Sequence, residues 1–397
     1  MKNNSIWEEE KTHEFPSLKE NINTDILIIG GGIAGILTAL NLMNSNLKIT
    51  LVERNKILHG VSSKMTAKVT ILQDILTKIS DNKKGKYLKS QLAGLKLIKD
   101  NIEKLDIKCD FIKNESYLFT SKYSNIEKLE RIEKELDKLK INYDNSSIPI
   151  KELKSLYSVK INDSYSINII KYLNNIVDNL KNINIYENTN IIKVIKDNGN
   201  FIAKTNKYKI NAKKIIFASH YPYFIKPLLF PLKVRLEKSS IMYGESFYHG
   251  NYNLINIDND VHSIRFYKDK MIYLCNSKYI SHISDDKVNN FLIKKVDNTW
   301  TNMDIITNDY LPLIGEIQNN IYIITGFNTW GILSSHIGAS MLSNLILKKN
   351  AYLEYINLFD PRRNISMQKV VNSSINVLEN MNGYFKGMVT KSMKCTL

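Results

Sequence analysis

The sequence predicts an α/β fold in which one domain, built around a parallel sheet, is assembled from separate segments, and a second, α+β domain is built on an antiparallel sheet. Three observations predict it. They are a strand, glycine-rich turn and helix near the N-terminus, a similar unit near residue 326, and short strands of alternating polarity between them. With 397 residues and 43% hydrophobic content, the chain can bury a core large enough for two domains.

The first of these units follows a polar lead-in, residues 1–23. The apolar run Asp25–Gly30 fits a buried parallel strand, Ile33–Ser45 fits a helix that packs on the sheet, and Lys48–Glu53 fits the next strand. A βαβ unit of this length, about 30 residues, is typical of the Rossmann-like dinucleotide-binding fold.

The turn GGGIAG supplies the GxGxxG pattern through Gly30, Gly32 and Gly35. In this pattern the first glycine permits a tight turn, the second lets the backbone approach a pyrophosphate, and the third lets the helix pack closely on the strand. Glu53 ends the next strand, where an acid can bind a ribose hydroxyl. A glycine-rich turn with an unrelated glutamate is the simpler alternative, but the order of all these elements favours nucleotide binding.

The pattern returns at Ile321–Gly326, an apolar strand followed by the turn FNTWG and a second helix. The apolar run Lys214–Ser219 predicts a further buried parallel strand, and the alternation in His262–Asn276 is typical of an antiparallel sheet. The Rossmann-like domain is therefore predicted to be discontinuous. We assign it residues 24–71, 183–232 and 303–349, the second domain residues 72–182 and 233–302, and a C-terminal tail residues 351–397.

The formal net charge of +16 raises the question of nucleic-acid binding, but the arrangement of the charges argues against it. Only six of the 55 basic residues are arginines, and the lysines of Asn125–Lys140 alternate with glutamates, as on a solvated helix face. No apolar stretch is long enough to span a membrane, and the first residues form no secretory signal. We therefore expect a cytoplasmic protein with no nucleic-acid partner.

The three cysteines, Cys109, Cys275 and Cys395, lie far apart and form no CxxC pair. This spacing predicts neither a disulfide framework nor a cysteine-based metal site, and it fits the reducing cytoplasm.

Several separated stretches together carry a resemblance to a known family. They are Ser5–Leu18, the GGGIAG turn, His59–Thr70, Asn211–Pro222, Ser263–Tyr267, and the unit IYIITGFNTWGILSSHIGASMLSNLI. In this order the sequence resembles the D-amino-acid-oxidase-like FAD-dependent oxidoreductases, the superfamily that includes glycine and sarcosine oxidases. Within it, the chain resembles a bacterial subgroup that carries a C-terminal Rieske iron–sulfur domain.

The resemblance implies that the Rossmann-like domain binds FAD and that the second domain holds the substrate. The turn at Gly326 would lie against the isoalloxazine ring. The flavin-linking cysteine of sarcosine oxidases has no counterpart around Asn302, so noncovalent FAD is expected. The implied cofactor-binding residues are Gly30, Gly32, Gly35, Glu53, Arg54, Ser62, Thr66, Ile191, Ala218, Gly326, Phe327, Trp330, Gly331 and Ile332.

The sequence also departs from the subgroup. Glu237–Ser240 replaces a His-Arg-Ser-Tyr stretch, and Cys275–Ser284 replaces a glycine-rich loop that contains His and Arg. A Rieske cluster needs two Cys and two His ligands, and the sequence stops at Lys394–Leu397. We expect no iron–sulfur cluster and no metal. The ending is either a truncated remnant of the first ligand loop or an unrelated cysteine.

Enzymes of this superfamily oxidise a C–N bond by hydride transfer from carbon to flavin N5, so the resemblance implies an amine or amino-acid substrate. The electron acceptor would be oxygen, a quinone or a separate redox protein. Arg265 is the candidate catalytic residue, because its guanidinium can bind a substrate carboxylate bidentately; a structural salt bridge is the alternative. Lys68 and His220 lie beside cofactor-side segments and are interpreted as surface or supporting groups.

Two other functions stay open at this point. A degenerate, non-catalytic FAD-binding protein is suggested by the departures from the subgroup. A tRNA-modifying oxidase of the same superfamily is suggested by the positive charge alone.

Overall fold

The computed structural model describes residues 2–221, 233–279 and 292–364, whose strands form two eight-stranded sheets. The strands are β1 (Ile22–Ile29), β2 (Ile49–Val52), β3 (Lys68–Val69), β4 (Ile112–Thr120), β5 (Tyr157–Ser166), β6 (Ile183–Tyr186), β7 (Lys193–Asp197), β8 (Asn200–Lys204), β9 (Lys209–Phe217), β10 (Val234–Ser246), β11 (Tyr252–Asn256), β12 (His262–Tyr267), β13 (Lys270–Tyr279), β14 (Ile293–Thr307), β15 (Leu313–Gln318) and β16 (Ile321–Thr325). The helices are α1 (Ile33–Leu42), α2 (Asp81–Lys104), α3 (Ile126–Lys138), α4 (Ile169–Asp178), α5 (Gly331–Ile346) and α6 (Ile356–Phe359).

The first sheet has the strand order β15-β16-β9-β1-β2-β6, and the hairpin β7–β8 joins it at β9. Its central strands β16, β9, β1, β2 and β6 are parallel. Ile26, Leu27 and Ile28 of β1 are fully buried. Helices α1 and α5 pack on one face of this sheet, and Leu18 with residues of β10 and β14 packs on the other. The parallel strands all end at one edge, and this edge carries the glycine-rich turn.

The second sheet has the order β14-β10-β13-β12-β11-β4-β5-β3 and is antiparallel except for the parallel pair β4–β11. Together the two sheets confirm the predicted α/β fold class with a second, largely antiparallel sheet. β3, within the predicted segment 24–71, pairs with β5 in this second sheet. β14 continues through the predicted boundary at residue 302, because its pairing with β10 extends to Thr307.

Helix α5 is in contact with α1, α2 and β16. Its polar residues Ser334, Ser335 and His336 are buried along with its apolar ones. The close approach of α2 depends on Gly94, since a Cβ at this position would lie 2.5 Å from the Leu333 carbonyl oxygen. α5 therefore forms a rigid support directly behind the turn at Gly326.

An N-terminal arm, residues 2–18, crosses from the second sheet to the first. Its Lys2 N–H donates to the Asp297 carbonyl, and its Leu18 N–H donates to Thr189 Oγ1. Between these ends Trp7 is 1% exposed, and its indole N–H donates to the Met65 carbonyl at 2.7 Å. The description of residues 1–23 as a polar lead-in misses this anchor, because a single buried tryptophan in a polar stretch has no periodic signal.

Part of the predicted tail, residues 351–397, is folded, since α6 contacts α2 and β15. Residues 365–397, including Cys395, lie outside the described residues, as do 222–232 and 280–291. Among the described helices, none has the length and apolar character that crossing a bilayer requires.

Trp7→Ala is expected to lower the free energy of unfolding by about 3–5 kcal/mol, because it leaves a large cavity under the arm. Trp7→Phe keeps a ring but leaves the Met65 carbonyl without its donor, which costs about 1–3 kcal/mol. Urea denaturation followed by circular dichroism measures both. Tyr123→Ala is the control, because Tyr123 is 78% exposed and its loss should cost less than about 0.5 kcal/mol. Equal midpoints for all three variants would contradict this role of the arm.

Candidate cofactor and substrate site

A groove of about 370 Å³ follows the edge at which the parallel strands of the first sheet end. Its walls come from the ends of β1, β2, β9 and β16, which are far apart in sequence. The predicted residues that line it are Gly30, Gly32, Glu53, Arg54, Ser62, Ile191, Ala218, Gly326, Phe327 and Gly331.

The three glycines of the first turn differ in what surrounds them. A Cβ on Gly30, whose φ is +118°, would overlap the Ala218 carbonyl, and a Cβ on Gly35 would overlap the Gly30 carbonyl. A Cβ on Gly32 would meet only Ser62 Oγ, at 3.1 Å. Gly30 and Gly35 are therefore needed by the fold itself, whereas Gly32 leaves space that a ligand can use.

Polar groups at the start of α1 are arranged around this turn. Ser62 Oγ accepts a hydrogen bond from the Ile33 N–H at 2.9 Å. The Glu53 carboxylate accepts from the Gly31 N–H at 2.9 Å and from the Asn55 N–H at 3.0 Å. These bonds fix the carboxylate at the end of β2, half-buried and open to the groove. The positive end of α1 and an oriented acid are the features that bind a pyrophosphate and a ribose.

The groove also contains buried polar atoms that lack partners within the described part of the chain. They are Ser219 Oγ, His220 Nε2 and Asn302 Oδ1. Burial lowers the pKa of His220 to about 4, so this imidazole is neutral and can accept a hydrogen bond from a hydroxyl group. Unsatisfied polar atoms in a groove indicate a ligand with several hydrogen-bonding groups. The hydroxyl-bearing chain and amide edge of FAD fit this requirement.

Sequence reasoning missed two features of this wall. His220 was interpreted as a surface or supporting group, but its ring is buried and lines the groove. Asp304, which received no prediction, is also buried there and accepts from Asn302 Nδ2 at 3.2 Å. Burial, with the charge of Glu237, raises the pKa of Asp304 to about 7. The polar alternation of Asn302 and Asp304 in β14 was the one available signal.

The turn after β16 has an unusual backbone. Gly326, Asn328 and Thr329 all have positive φ, of +72°, +53° and +70°. For a β-branched residue such as Thr329 this conformation costs on the order of 1–3 kcal/mol, and neighbouring contacts must hold it. Asn328 does so: its amide donates to the Gly326 carbonyl at 2.8 Å, and its Oδ1 accepts from the Thr307 N–H at 2.7 Å.

A smaller cavity of about 60 Å³, here called the alcove, adjoins the groove at this turn. The two cavities share Met65, Thr329 and Gly331. Three predicted cofactor residues, Thr66, Trp330 and Ile332, line the alcove and not the groove, and Gly35 lines neither. The alcove is therefore a separate space next to the turn that was predicted to face the flavin.

The alcove has both a polar and an apolar lining. Its polar lining includes Lys68, Ser263 and Thr66, and its apolar lining includes Leu274, Ile332 and Leu333. Lys68 was interpreted as a surface or supporting group, but it is only 4% exposed. The ring of Trp330 is held in place because its indole N–H donates to Asp74 Oδ1 at 2.8 Å.

Arg265 lines neither cavity and is fully buried. Its Nη1 donates to three carbonyls, those of Thr66, Ala67 and Ile167, at 3.1, 2.6 and 3.0 Å. Trp7 and Tyr267 pack edge-to-face with their ring centroids 5.0 Å apart, and these centroids lie 5.6 and 5.7 Å from the guanidinium carbon. Within the described residues it has no ion pair, so the structural salt bridge considered above is replaced by carbonyl contacts. Nη2 has no partner there either.

Two of the three cysteines lie within the described ranges. Cys109 and Cys275 are free and buried, burial raises the pKa of both thiols to about 12, and neither lines the groove. The described ranges contain no group of three or more side chains that could hold a metal ion. Cys395 and most of Cys275–Ser284 lie outside these ranges.

The fold and the groove define a dinucleotide-binding protein with two cavities that meet at a strained turn. The family described as DAO, FAD dependent oxidoreductase, matches residues 25–345. The chain therefore belongs to the DAO family of FAD-dependent oxidoreductases, and FAD is its cofactor, as the sequence motifs implied.

Two curated relatives cover most of the chain. A Bacillus subtilis protein described as a putative Rieske 2Fe-2S iron–sulfur protein, YhfW, is 26% identical over 95% of this chain and 79% of its own length. The gamma-glutamylputrescine oxidoreductase of Escherichia coli is 20% identical over 84% of this chain and 85% of its own length.

Solved structures share the fold. Glycine oxidase from Geobacillus kaustophilus superimposes with a TM-score of 0.75 at 14% identity, over 87% of this chain and 100% of the other. L-amino acid deaminase from Proteus vulgaris has a TM-score of 0.71 at 18% identity, over 89% of this chain and 97% of the other.

Gly32→Ala is expected to lower FAD occupancy at least about ten-fold while leaving the stability of the FAD-free protein unchanged, because the added methyl group meets only the Ser62 hydroxyl but occupies ligand space. Gly35→Ala is the matched control and should lower both quantities, since its methyl group overlaps the backbone of Gly30. Absorbance at 450 nm per polypeptide and thermal unfolding measure the two effects. Full FAD occupancy in Gly32→Ala would show that the pyrophosphate lies elsewhere.

Proposed function

We propose that this chain oxidises a C–N bond of a small amine or amino acid, with noncovalently bound FAD as the hydride acceptor. The observation that carries the proposal is the alcove, a space of about 60 Å³ that adjoins the cofactor groove at the Thr329–Gly331 turn. A substrate there would be held against the flavin-binding turn and away from bulk water.

Relatives support the chemical class. The names of a sequence relative and of several structural neighbours specify gamma-glutamylputrescine, glycine, L-proline and L-amino acids, all of which contain a C–N bond. One structural neighbour is an L-alpha-glycerophosphate oxidase, whose named substrate lacks nitrogen. The class therefore needs an experimental test against an alcohol donor.

The residues of the groove would hold the cofactor without a covalent bond. Gly32 and the N-terminus of α1 would receive the pyrophosphate, and Glu53 would bind the adenosine ribose. When bound, FAD supplies the two-electron acceptor for the substrate. Cys109 and Cys275, the cysteines within the described ranges, are buried away from the groove, in agreement with noncovalent binding.

The residues of the alcove would position and desolvate the substrate. Asp74 fixes the indole of Trp330 at one wall. Leu274, Ile332 and Leu333 supply apolar surface that excludes water, so that the amine meets the cofactor in a dry site.

The FAD-loaded protein mixed anaerobically with amines and amino acids is expected to lose its absorbance at 450 nm with at least one of them, because hydride transfer reduces the ring. Stopped-flow spectroscopy measures the rate. Glycerol 3-phosphate is the comparison compound and should leave the spectrum unchanged. Reduction by glycerol 3-phosphate alone would contradict the C–N assignment, and a spectrum that no donor changes would identify a flavoprotein without this activity.

The contacts of Arg265 favour a positioning role over direct contact with a substrate carboxylate. Its Nη1 donates hydrogen bonds to three backbone carbonyls, and only Nη2 stays available to a ligand. By these bonds Arg265 would hold the Thr66–Ala67 segment, which forms part of the alcove wall, against the second sheet.

Arg265→Lys is therefore expected to lower stability by about 1.5–3 kcal/mol, the range for hydrogen bonds to charged groups, because one ammonium cannot reach the same carbonyls in the same geometry. The substrate concentration for half-maximal flavin reduction should change less than about three-fold. Thermal unfolding and stopped-flow reduction measure the two quantities. Unchanged stability with substrate binding weakened ten-fold or more would instead identify Arg265 as the carboxylate anchor.

A further inference from the structure

Lys68 is a buried amine whose surroundings, among the described residues, contain no negative charge within ion-pair distance. Its Nζ donates to Ser263 Oγ at 2.8 Å and to Thr66 Oγ1 at 3.2 Å. Among the described residues no carboxylate lies within ion-pair distance of it. Most buried lysines in proteins are paired, so an unpaired one that lines a cavity requires an explanation.

A cation, Arg265, is close to it. The charged group that acts on Lys68 is Arg265, which approaches from β12, and the remaining polar neighbours on the alcove side are neutral. Arg265 in turn is influenced by Tyr267, Asp110 and Tyr243, none of which reaches Lys68. Desolvation and the charge of Arg265 both disfavour a proton on Lys68 and hold the pKa of its amine well below the ordinary value.

The alcove would receive an amine in its protonated form, because aliphatic amines are ammonium ions at neutral pH. Loss of a hydride from the carbon next to nitrogen requires a lone pair on that nitrogen, which donates electrons to the carbon. An ammonium ion has no such lone pair. One proton must therefore be removed first. A neutral amine in the same cavity is a suitable proton acceptor. A protonated Lys68 would instead add to the charge of Arg265 and repel the substrate ammonium.

We propose that Lys68 accepts this proton from the substrate ammonium in the alcove and is thus a catalytic residue of the oxidation proposed above. The inference rests on that proposed function. Lys68 lines the cavity together with Ser263 and Thr66, whose hydroxyl groups hold its Nζ, and Arg265 keeps it unprotonated between turnovers.

The step balances in atoms and charge. One substrate N–H bond breaks and its electron pair stays on nitrogen, while a new N–H bond forms on Nζ and converts Lys68 from an amine to an ammonium. The total charge of the alcove is unchanged. The substrate then has the lone pair it needs, and Lys68 returns the proton to water after the product leaves.

The protonation state of Lys68 can be measured without any substrate. FAD-loaded protein is labelled with a trace of acetic anhydride across a pH series, and the extent at each lysine is read by peptide mass spectrometry. Lys270, which is paired with Asp297 and whose pKa that carboxylate raises, is the internal reference. Lys68 is expected to reach half-maximal reactivity at a lower pH than Lys270. Onset at the same pH for both lysines would overturn the proposal.

The second measurement is the pH profile of flavin reduction by an amine under anaerobic conditions. Lys68→Met should lower the rate at pH 7 by about 10²- to 10⁴-fold, the range for loss of a general base. The difference in rate between the variant and the wild type should become smaller as the pH approaches the pKa of the substrate amine. Added ethylamine should restore part of the rate. Lys84→Met is the control, because Lys84 is 2% exposed but paired with Asp81, and it should keep the wild-type profile.

Other outcomes separate the explanations. If Lys68→Met only raises the substrate concentration for half-maximal reduction and keeps the pH profile, Lys68 contacts an anionic group of the substrate and is not the base. If no amine reduces the wild-type flavin, the proposed function is rejected and the base role with it. Normal reduction with ordinary labelling of Lys68 rejects the base role alone.

Discussion

The cofactor site depends on the parallel register of β1 with its two neighbours. Ile29 lies opposite Val52 on one side and Phe217 on the other. Parallel strands end at a common edge, so this register brings the glycine-rich turn, the carboxylate of Glu53 and the backbone of Ala218 into one groove. A shift of one residue in either pair would turn each strand's inward side chains to the other face and separate these groups.

Close contacts then convert this edge into a rigid site. α1 approaches β1 closely because Gly35 has no side chain, and α5 supports the second turn from behind. The positive φ of Thr329 persists because the side chain of the neighbouring Asn328 bonds to the Gly326 carbonyl within the turn and to the Thr307 N–H at the end of β14. Backbone strain that neighbouring contacts stabilise in this way is often found where a protein presents its backbone to a ligand.

The chemistry of the alcove follows from burial of charge. Arg265 is held by carbonyl oxygens, whose partial charges solvate a guanidinium without neutralising it. Its full positive charge therefore acts on Lys68 in a region from which water is excluded. The buried ring of Trp7 lies 5.6 Å from the guanidinium carbon of Arg265, so the N-terminal arm contributes to the surroundings of this charge as well as to stability.

The sequence alone determined the fold class, the glycine-rich turn and the acid at Glu53, because apolar runs and backbone requirements are local properties of a chain. It also indicated FAD through the order of its motifs. Only the tertiary structure decided that Thr66 and Trp330 line a separate alcove and that Lys68 is buried there. Lys68 donates a hydrogen bond to Ser263, which is 195 positions away in the sequence, and no local preference of either residue type predicts this contact. Burial and charge neighbourhoods arise from such distant contacts, so they could be known only once the two sheets were in place.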